Sequence, residues 1–333
     1  MLEGRSHTGL YGAHRAGSTS APSGVLVVDK PSGPTSHDVV SRIRRALRIR
    51  AVGHAGTLDP LATGVMIIAV GEATKLVPWL SAHDKAYLAT IALGEETDTL
   101  DVQGSVTRRL AVDPSVLEAL AASSAGAPAT RIADAFDRER ARETQVPPAY
   151  SAIKVDGRRS FAEARRGRVR ALAPRPVRLH RIALLGCTAD PPTLQIAVGV
   201  SKGYYVRALA RDLAESLGTV GHLTRLRRTS SGCFGIEEAV TLDAPAEVLR
   251  ARLEPAARAA ARTLPVVRLD EAGTVDARHG KRVAPDRLRG QPAEACVWLG
   301  PDGELVAIGR IHEDGSGTVV RGFREATSSS DRP

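Results

Sequence analysis

Hydrophobic residues in the first hundred positions form two nearly continuous runs and one alternating run. Residues 24–29 (GVLVVD) and 65–70 (VMIIAV) have the length and β-branched content typical of strands, and the second run is apolar enough to be buried. Residues 87–93 (YLATIAL) alternate, as in a strand with one covered face. Between the first two runs, Thr35 or Ser36 can cap a helix that extends to about Ile49.

The pattern changes to helical periodicity in the middle of the chain. Residues 112–143 are predicted to be helical, with a break at the low-complexity stretch AASSAGAPA (121–129), and residues 194–200 form another strand. The next segment, SKGYYVRALARDLAESLG, has an amphipathic helix in its second half that ends at Gly218. Residues 246–262 are also helical, with a break at Pro255.

The chain of 333 residues is long enough for two domains. A candidate linker at Thr263-Leu264-Pro265 precedes strand-like segments with glycine turns: PVVRLD, ACVWLG, LVAIGRI and GTVVRGF. We therefore expect a disordered tail at 1–23, a large domain at 24–262 with a helical insertion at about 112–143, a small all-β domain at 265–325 and a disordered tail at 326–333.

The chain is basic, with a net charge of +9 and a pI near 9.9, which is typical of proteins that meet a polyanion. Arginines are concentrated at 42–50 and at 158–181, and we expect both stretches to contact phosphates. Only six of the 46 basic residues are lysines. Lys30 and Lys202 lie in Gly- or Pro-punctuated segments and are candidates for substrate contacts, although a chance position on the surface is an equal alternative.

Several classes of protein are disfavoured by what the sequence lacks. The three cysteines are far apart and form no CxxC pair, and no HExxH, GxGxxG or P-loop pattern is present. No apolar run approaches the roughly 20 residues of a membrane span. We therefore expect a cytoplasmic protein with no metal, no cofactor and no membrane contact.

The loop GHAGTLDPLATG (residues 53–64) carries Asp59, the first candidate for chemistry. Its three glycines permit close backbone approach, and Pro60 keeps Asp59 extended. A carboxylate on a rigid loop between two buried elements suits a nucleophile or a charge-stabilising group, whereas Asp-Pro alone is usually a turn signal. His54 could stack on a base or bind a phosphate, and its alternative is a structural histidine.

The segment SKGYYVR (residues 201–207) carries the second candidate set. If residues 199–206 form a strand, Tyr205 and Arg207 point to the same face, where they would suit a flipped base beside a carboxylate. A core tyrosine with a surface arginine is the alternative. Tyr87, one of only five tyrosines, fits either base stacking or the packing of a strand.

These segments together resemble the TruB family of tRNA pseudouridine-55 synthases. The matching stretches are GVLVVDKPSGPTSHDVV, VGHAGTLDPLATGVMIIAVGEATKL, KAYLATIALGEETDTLD, QVPPAYSAIKVDGRRS, VSKGYYVRALARDLAESLG and GHLTRLRRTSSGCFG, in the family's order over most of residues 24–240. The stretch from about 265 resembles a PUA-type RNA-binding module. At 124–143 the chain departs from the family pattern.

The resemblance implies a role for individual residues and a fold. Asp59 corresponds to the catalytic aspartate, and Tyr87 and Arg207 complete the catalytic set. The substrate-binding residues implied or proposed are His54, Tyr87, Tyr205, Leu226, Lys30 and Lys202, with Lys30 in a lysine–proline motif that also implies structural support. The implied fold is α+β, with a mixed, largely antiparallel sheet, flanking helices and a PUA-like β domain.

The implied reaction converts uridine 55 in the T loop of tRNA to pseudouridine. The glycosidic bond breaks, the base rotates and C5 bonds to C1′, with no redox step and no cofactor. Whether Asp59 attacks C1′, attacks the base or removes a sugar proton is left open by the sequence. We expect the T-arm stem-loop as partner, a flipped target base, and a monomer without an obligate protein partner.

Two other classes of function remain as alternatives. The first is an RNA binder or tRNA-folding chaperone on the same scaffold, and the second is a nucleotide-cofactor enzyme with incidental basicity. Intact Asp59, Tyr87 and Arg207 favour the enzyme, and the missing phosphate-binding loop disfavours the cofactor enzyme. We also expect deletion of 265–325 to weaken tRNA binding more than it lowers the single-turnover rate.

Overall fold

The computed structural model describes residues 23–151, 153–155, 158–160 and 172–324. Almost all of the two predicted tails, and most of residues 158–170 in the arginine-rich stretch, lie outside the described residues. Among the helices in the described part of the chain, none combines the length and the apolar character that a membrane crossing requires.

The described residues form helices, strands and short 3-10 turns. The helices are α1 (Ser36–Leu47), α2 (Val77–Leu80), α3 (Pro114–Ala121), α4 (Thr130–Arg140), α5 (Val206–Ser216), α6 (Ala246–Ala251), α7 (Ala256–Ala261) and α8 (Glu271–Arg278). The 3-10 turns are Gly71–Leu76, Ile236–Glu238 and Pro285–Arg287. The strands are β1 (Gly24–Lys30), β2 (Val52–His54), β3 (Thr63–Val70), β4 (Lys85–Leu93), β5 (Glu95–Thr97), β6 (Val106–Arg109), β7 (Thr144–Gln145), β8 (Lys154–Val155), β9 (Arg158–Arg159), β10 (Arg175–Pro176), β11 (Leu179–Ala189), β12 (Pro192–Val200), β13 (Gly221–Ser231), β14 (Phe234–Gly235), β15 (Val240–Thr241), β16 (Glu254–Pro255), β17 (Val266–Leu269), β18 (Leu288–Arg289), β19 (Ala293–Leu299), β20 (Leu305–Ile311) and β21 (Gly317–Gly322).

The largest sheet has the strand order β11–β12–β4–β13–β3–β1–β15, with β14, β16 and β2 paired at its margins. Only the β1–β15 and β3–β13 pairs are parallel, so the sheet is mixed and largely antiparallel, as predicted. A second sheet of five strands, β18–β17–β19–β20–β21, follows in the C-terminal part together with α8.

Strands β1 and β3 are apolar over residues 25–28 and 65–70 because both faces of these stretches are covered. Alternate side chains point to opposite faces of a strand. Leu26 and Val28 therefore pack against α1 and α6, whereas Val25 and Val27 belong to a second cluster that includes residues of α7, β19 and β20. The C-terminal sheet thus shares a continuous apolar cluster with the large sheet.

Helix α1 begins where the capping residues predict. The Thr35 hydroxyl accepts the Asp38 backbone N–H at 3.2 Å, and the Asp38 carboxylate accepts the Thr35 backbone N–H at 2.8 Å. The helix ends at Leu47, two residues before the predicted end, because Arg48 adopts a left-handed conformation with φ of 58°.

The condition under which Tyr205 and Arg207 would share a strand face, a strand over residues 199–206, is not met. Strand β12 ends at Val200, Tyr205 is the N-cap of α5, and Arg207 lies in the first turn of that helix. The two side chains therefore do not share a face of a strand. The predicted helix ending near Gly218 in fact occupies 206–216, and its N-terminus carries the candidate arginine.

Candidate active site

The loop between β2 and β3, which carries Asp59, is fixed by hydrogen bonds from α1 and from the turn that precedes it. The Ser36 hydroxyl, in the first turn of α1, accepts the Leu58 N–H at 2.9 Å and donates to the Leu58 carbonyl at 3.0 Å. The Gly33 N–H donates to the Pro60 carbonyl at 2.8 Å. Both residues that flank Asp59 are therefore held by partners distant in sequence.

Asp59 forms a two-point ion pair with Arg207. The Arg207 Nε lies 2.9 Å from one Asp59 carboxylate oxygen, and Nη2 lies 3.1 Å from the other. The Arg207 side chain is only 5% exposed, whereas the Asp59 side chain is 30% exposed. A planar guanidinium bound at two points fixes the orientation of a carboxylate, which here remains open to a ligand on its other side.

Two further hydrogen bonds from Arg207 fix the guanidinium itself. Nη1 donates to the Thr99 carbonyl at 2.8 Å, Nη2 donates to the Tyr150 carbonyl at 2.9 Å, and Nε lies 3.8 Å from the Asp101 carboxylate. Asp101 is itself 5% exposed. Arg207 thus joins the Asp59 loop to two other segments of the chain.

Thr99 and Asp101 were not predicted to be part of this arrangement, and Tyr150 belongs to it through its backbone carbonyl. The acidic, turn-rich segment GEETDTLDVQG (residues 94–104) forms β5 and the turn before β6, and that turn carries Thr99 and Asp101. A polar turn with a nearly buried aspartate is a signal for a charged partner, but only the fold identifies Arg207 as that partner.

Lys30 does not lie where the prediction of a substrate contact requires. It is 0% exposed, and its Nζ donates to the carbonyls of Pro31 at 2.8 Å, Pro60 at 3.2 Å and Ala62 at 2.8 Å. The Lys30 side chain has no exposed surface in this structure, so its position favours the structural support implied by the lysine–proline motif over a substrate contact. Lys30 supports the Asp59 loop through its hydrogen bonds to these carbonyls.

Burial lowers the pKa of Lys30 to about 8. The nearby Asp59 carboxylate acts in the opposite direction, and the Arg228 guanidinium lowers the pKa further. Lys30, Asp59 and Arg228 therefore form one electrostatic group around the loop.

Tyr87 and Leu226 line the apolar side of the same region. Tyr87 on β4 is 8% exposed, Leu226 on β13 is 6% exposed, and both belong to the apolar cluster that contains Leu58 and Leu61 of the Asp59 loop. The proposed roles of Tyr87 in stacking and of Leu226 in substrate contact remain predictions.

The other predicted site residues are distributed around the loop. The His54 ring lies edge-on to the ring of His37, with centroids 5.8 Å apart and an interplanar angle of 77°. The Tyr205 N–H donates to the Gln145 side-chain carbonyl at 2.9 Å, and burial raises the pKa of its hydroxyl. Lys202 is exposed in the turn before α5.

This geometry defines a class of site: a partly exposed carboxylate oriented by a buried arginine at the margin of a mixed sheet. Comparison with known proteins identifies the class. Residues 44–206 match the TruB family pseudouridylate synthase N-terminal domain, and residues 207–262 match the tRNA pseudouridylate synthase B C-terminal domain. The chain belongs to the TruB family of pseudouridylate synthases, and it is therefore an enzyme.

Individual relatives and a solved structure agree with this assignment. The chain is 42% identical over 292 residues to tRNA pseudouridine synthase B of Mycobacterium sp. strain KMS, covering 86% of this chain and 91% of that protein. It is 41% identical over 302 residues to tRNA pseudouridine synthase B of Arthrobacter sp. strain FB24, covering 86% and 92%. Among solved structures, a Cbf5–Nop10–Gar1 complex matches with a TM-score of 0.68 and 25% identity, over 92% of this chain and 86% of that one.

Proposed function

We propose that this protein isomerises uridine 55 in the T loop of tRNA to pseudouridine, with Asp59 as the essential carboxylate. The observation that carries the proposal is the Asp59–Arg207 pair, in which a partly exposed carboxylate is held at two points by a nearly buried guanidinium. The tRNA substrate is supported by the names of the relatives that match over most of the chain.

The proposed reaction breaks the N1–C1′ bond, rotates the base and forms a C5–C1′ bond, while C5 loses a proton and N1 gains one. Cleavage of a glycosidic bond builds positive charge on the sugar, and a fixed carboxylate can stabilise or trap that charge. Attack of Asp59 at C1′, attack at the base and removal of a sugar proton all start from the same oriented carboxylate. Arg207 holds the carboxylate in place and compensates its charge.

We further propose that tRNA is gripped by exposed arginines of α1 and of the turn that follows it: Arg42, Arg45, Arg48 and Arg50. Contacts of this kind release counterions, so affinity for a T-arm stem-loop would fall steeply with salt. The domain division at 24–262 and 265–325, a role of the second domain in RNA binding, action as a monomer and a cytoplasmic location complete the proposal.

The test is release of tritium from C5 of uridine 55 in an unmodified T-arm stem-loop, without added metal or cofactor. Isomerisation must release that tritium, so we expect release by the wild-type protein and none by Asp59→Asn. Asp137→Asn is a matched control because Asp137 is an exposed aspartate that pairs with Arg140 on α4.

Two results would contradict the proposal. Release by Asp59→Asn at the wild-type rate would remove Asp59 from the chemistry. Binding of the stem-loop by wild type without release would instead favour the RNA chaperone. A second substrate, labelled at a uridine other than position 55, tests the position: equal release from both labels would contradict the proposed specificity.

A further inference from the structure

Arg228 is a buried cation packed against the Asp59 loop, and the proposed reaction does not use it. It lies on β13 and is only 1% exposed, and after Trp298 it is the largest of the fully buried side chains among the described residues. Burying a guanidinium is costly unless its donors are occupied, so its contacts indicate what the position requires.

The Arg228 side chain contacts both ends of the loop. Its Nε donates to the Val65 carbonyl at 2.6 Å, just after the loop. Its Nη1 and Nη2 donate to the carbonyls of Thr57 and Gly56, each at 3.3 Å, before Asp59. One planar group thus joins the two stems of the loop from which the Asp59 carboxylate projects.

The Arg228 backbone is packed against the same loop. Arg228 pairs with Gly64 in the parallel β13–β3 register. A Cβ at Gly64 would lie 2.1 Å from the Arg228 carbonyl oxygen, and Gly64 has φ of +101°, so only glycine fits there. The loop and Arg228 therefore cannot shift independently of each other.

Among the described residues, the charge of Arg228 is not matched by an acid. Within residues 23–151 and 172–324, no carboxylate forms an ion pair with it, and its described acceptors are backbone carbonyls. If the position only filled space, an apolar side chain would do so without the cost of desolvating a charge. The position therefore requires the several directed N–H donors of a guanidinium group.

Arg227, the neighbouring residue, provides a contrast. Because side chains alternate along a strand, it points to the other side of β13. Its Nη1 and Nη2 bind the two oxygens of Asp29 at 3.0 and 2.8 Å, and its side chain is 38% exposed. Arg227, an arginine on the same strand with different contacts, therefore serves as a control for substitutions of Arg228.

We propose that Arg228 is a positioning residue for the isomerisation. It sets the distance between the two stems of the Asp59 loop and thereby the position of the carboxylate relative to Arg207 and the bound uridine. This inference rests on the proposed function of Asp59. A displacement of a reacting group by about 1 Å can cost roughly 100-fold in rate, which gives the scale of the expected effect.

The experiment compares Arg228→Met, Arg228→Lys and Arg227→Met with wild type. For each variant, the single-turnover rate of tritium release at saturating stem-loop, the Kd for the stem-loop and the Tm are measured. We expect Arg228→Met to lower the rate by about 100-fold and to change Kd by less than about 3-fold. Arg228→Lys keeps the charge but has one donor point, so we expect at least a roughly 10-fold loss of rate. Arg227→Met should stay within about 3-fold of the wild-type rate.

A purely structural role would lower Tm and leave the rate of the folded protein unchanged, and that result would overturn the proposal. An equal loss of rate in Arg227→Met, or a loss of affinity as large as the loss of rate, would also overturn it. If Arg228→Met does not fold, Arg228→Lys decides: a rate within about 3-fold of wild type would refute the role. Failure of the proposed function can be distinguished from failure of this inference, because the former would appear as tritium release by Asp59→Asn at the wild-type rate.

Discussion

Replacing Lys30 by methionine would remove the ammonium group beneath the Asp59 loop and keep most of the unbranched side chain. In the wild-type protein this ammonium donates to three backbone carbonyls, and no part of the residue is exposed. Methionine adapts to irregular apolar space, so the variant changes charge and hydrogen bonding without opening a large cavity.

The effect of Lys30→Met on stability should depend on pH. Burial lowers the pKa of Lys30 from 10.5 to about 8 in the folded protein. The unfolded chain therefore binds more protons than the folded chain between these values, and the penalty for burying the ammonium is complete below about pH 8 and disappears as pH rises to about 10.5. The difference between the two values corresponds to roughly 3 kcal/mol of unfolding free energy.

Urea unfolding of wild type and Lys30→Met from about pH 7 to about pH 10.5 measures this effect. Subtracting the two curves cancels the other titrating groups, and we expect wild type to gain up to roughly 3 kcal/mol relative to the variant across the window. The exposed Lys202→Met gives the baseline for loss of any one lysine. A difference between wild type and Lys30→Met that stays constant within about 0.5 kcal/mol would refute the reasoning.

Three further predictions concern the contacts that hold the site and the C-terminal sheet. Arg207→Lys keeps the charge but not the two-point contact with Asp59, so the single-turnover rate should fall by roughly 100-fold; a loss below about 5-fold would contradict this. Ser36→Ala removes both hydrogen bonds to Leu58 and should lower the unfolding free energy in urea by about 1–3 kcal/mol, whereas an unchanged value would show that the bonds contribute little. Removal of residues 263–333 should lower the Tm and solubility as well as RNA affinity, because the C-terminal sheet shares an apolar cluster with β1 and β3; an unchanged Tm would contradict the shared core.

The local elements of the large domain could be predicted from the sequence because their signals are local. Apolar runs gave β1 and β3, alternation gave β4, and the Thr35 capping box gave the start of α1. The loop with Asp59 was also identifiable, since its glycines and Pro60 restrict the backbone over a few residues. These features depend on neighbours in the chain and need no tertiary contact.

The arrangement around Asp59 could not be derived in the same way. Arg207 was proposed on the condition that residues 199–206 form a strand, whereas it reaches Asp59 from a helix 148 residues further along the chain. Lys30 was a candidate for substrate contact because it lies in a Pro-punctuated segment, whereas in the folded protein its buried ammonium donates to three backbone carbonyls. Arg227 and Arg228 are neighbouring arginines that the sequence alone does not distinguish. Because side chains alternate along β13, Arg227 pairs with Asp29, whereas Arg228 donates to the Val65 carbonyl.

The sequence by itself determined β1, β3, β4 and the start of α1, the loop that carries the carboxylate, and the basic character of the protein. Only the tertiary structure decided which cations surround Asp59, which of them are buried, and that the second face of β1 and β3 is covered by the C-terminal sheet. The physical reason is range: backbone preferences act between near neighbours, whereas burial and ion pairing depend on which distant segments the folded sheet brings into contact.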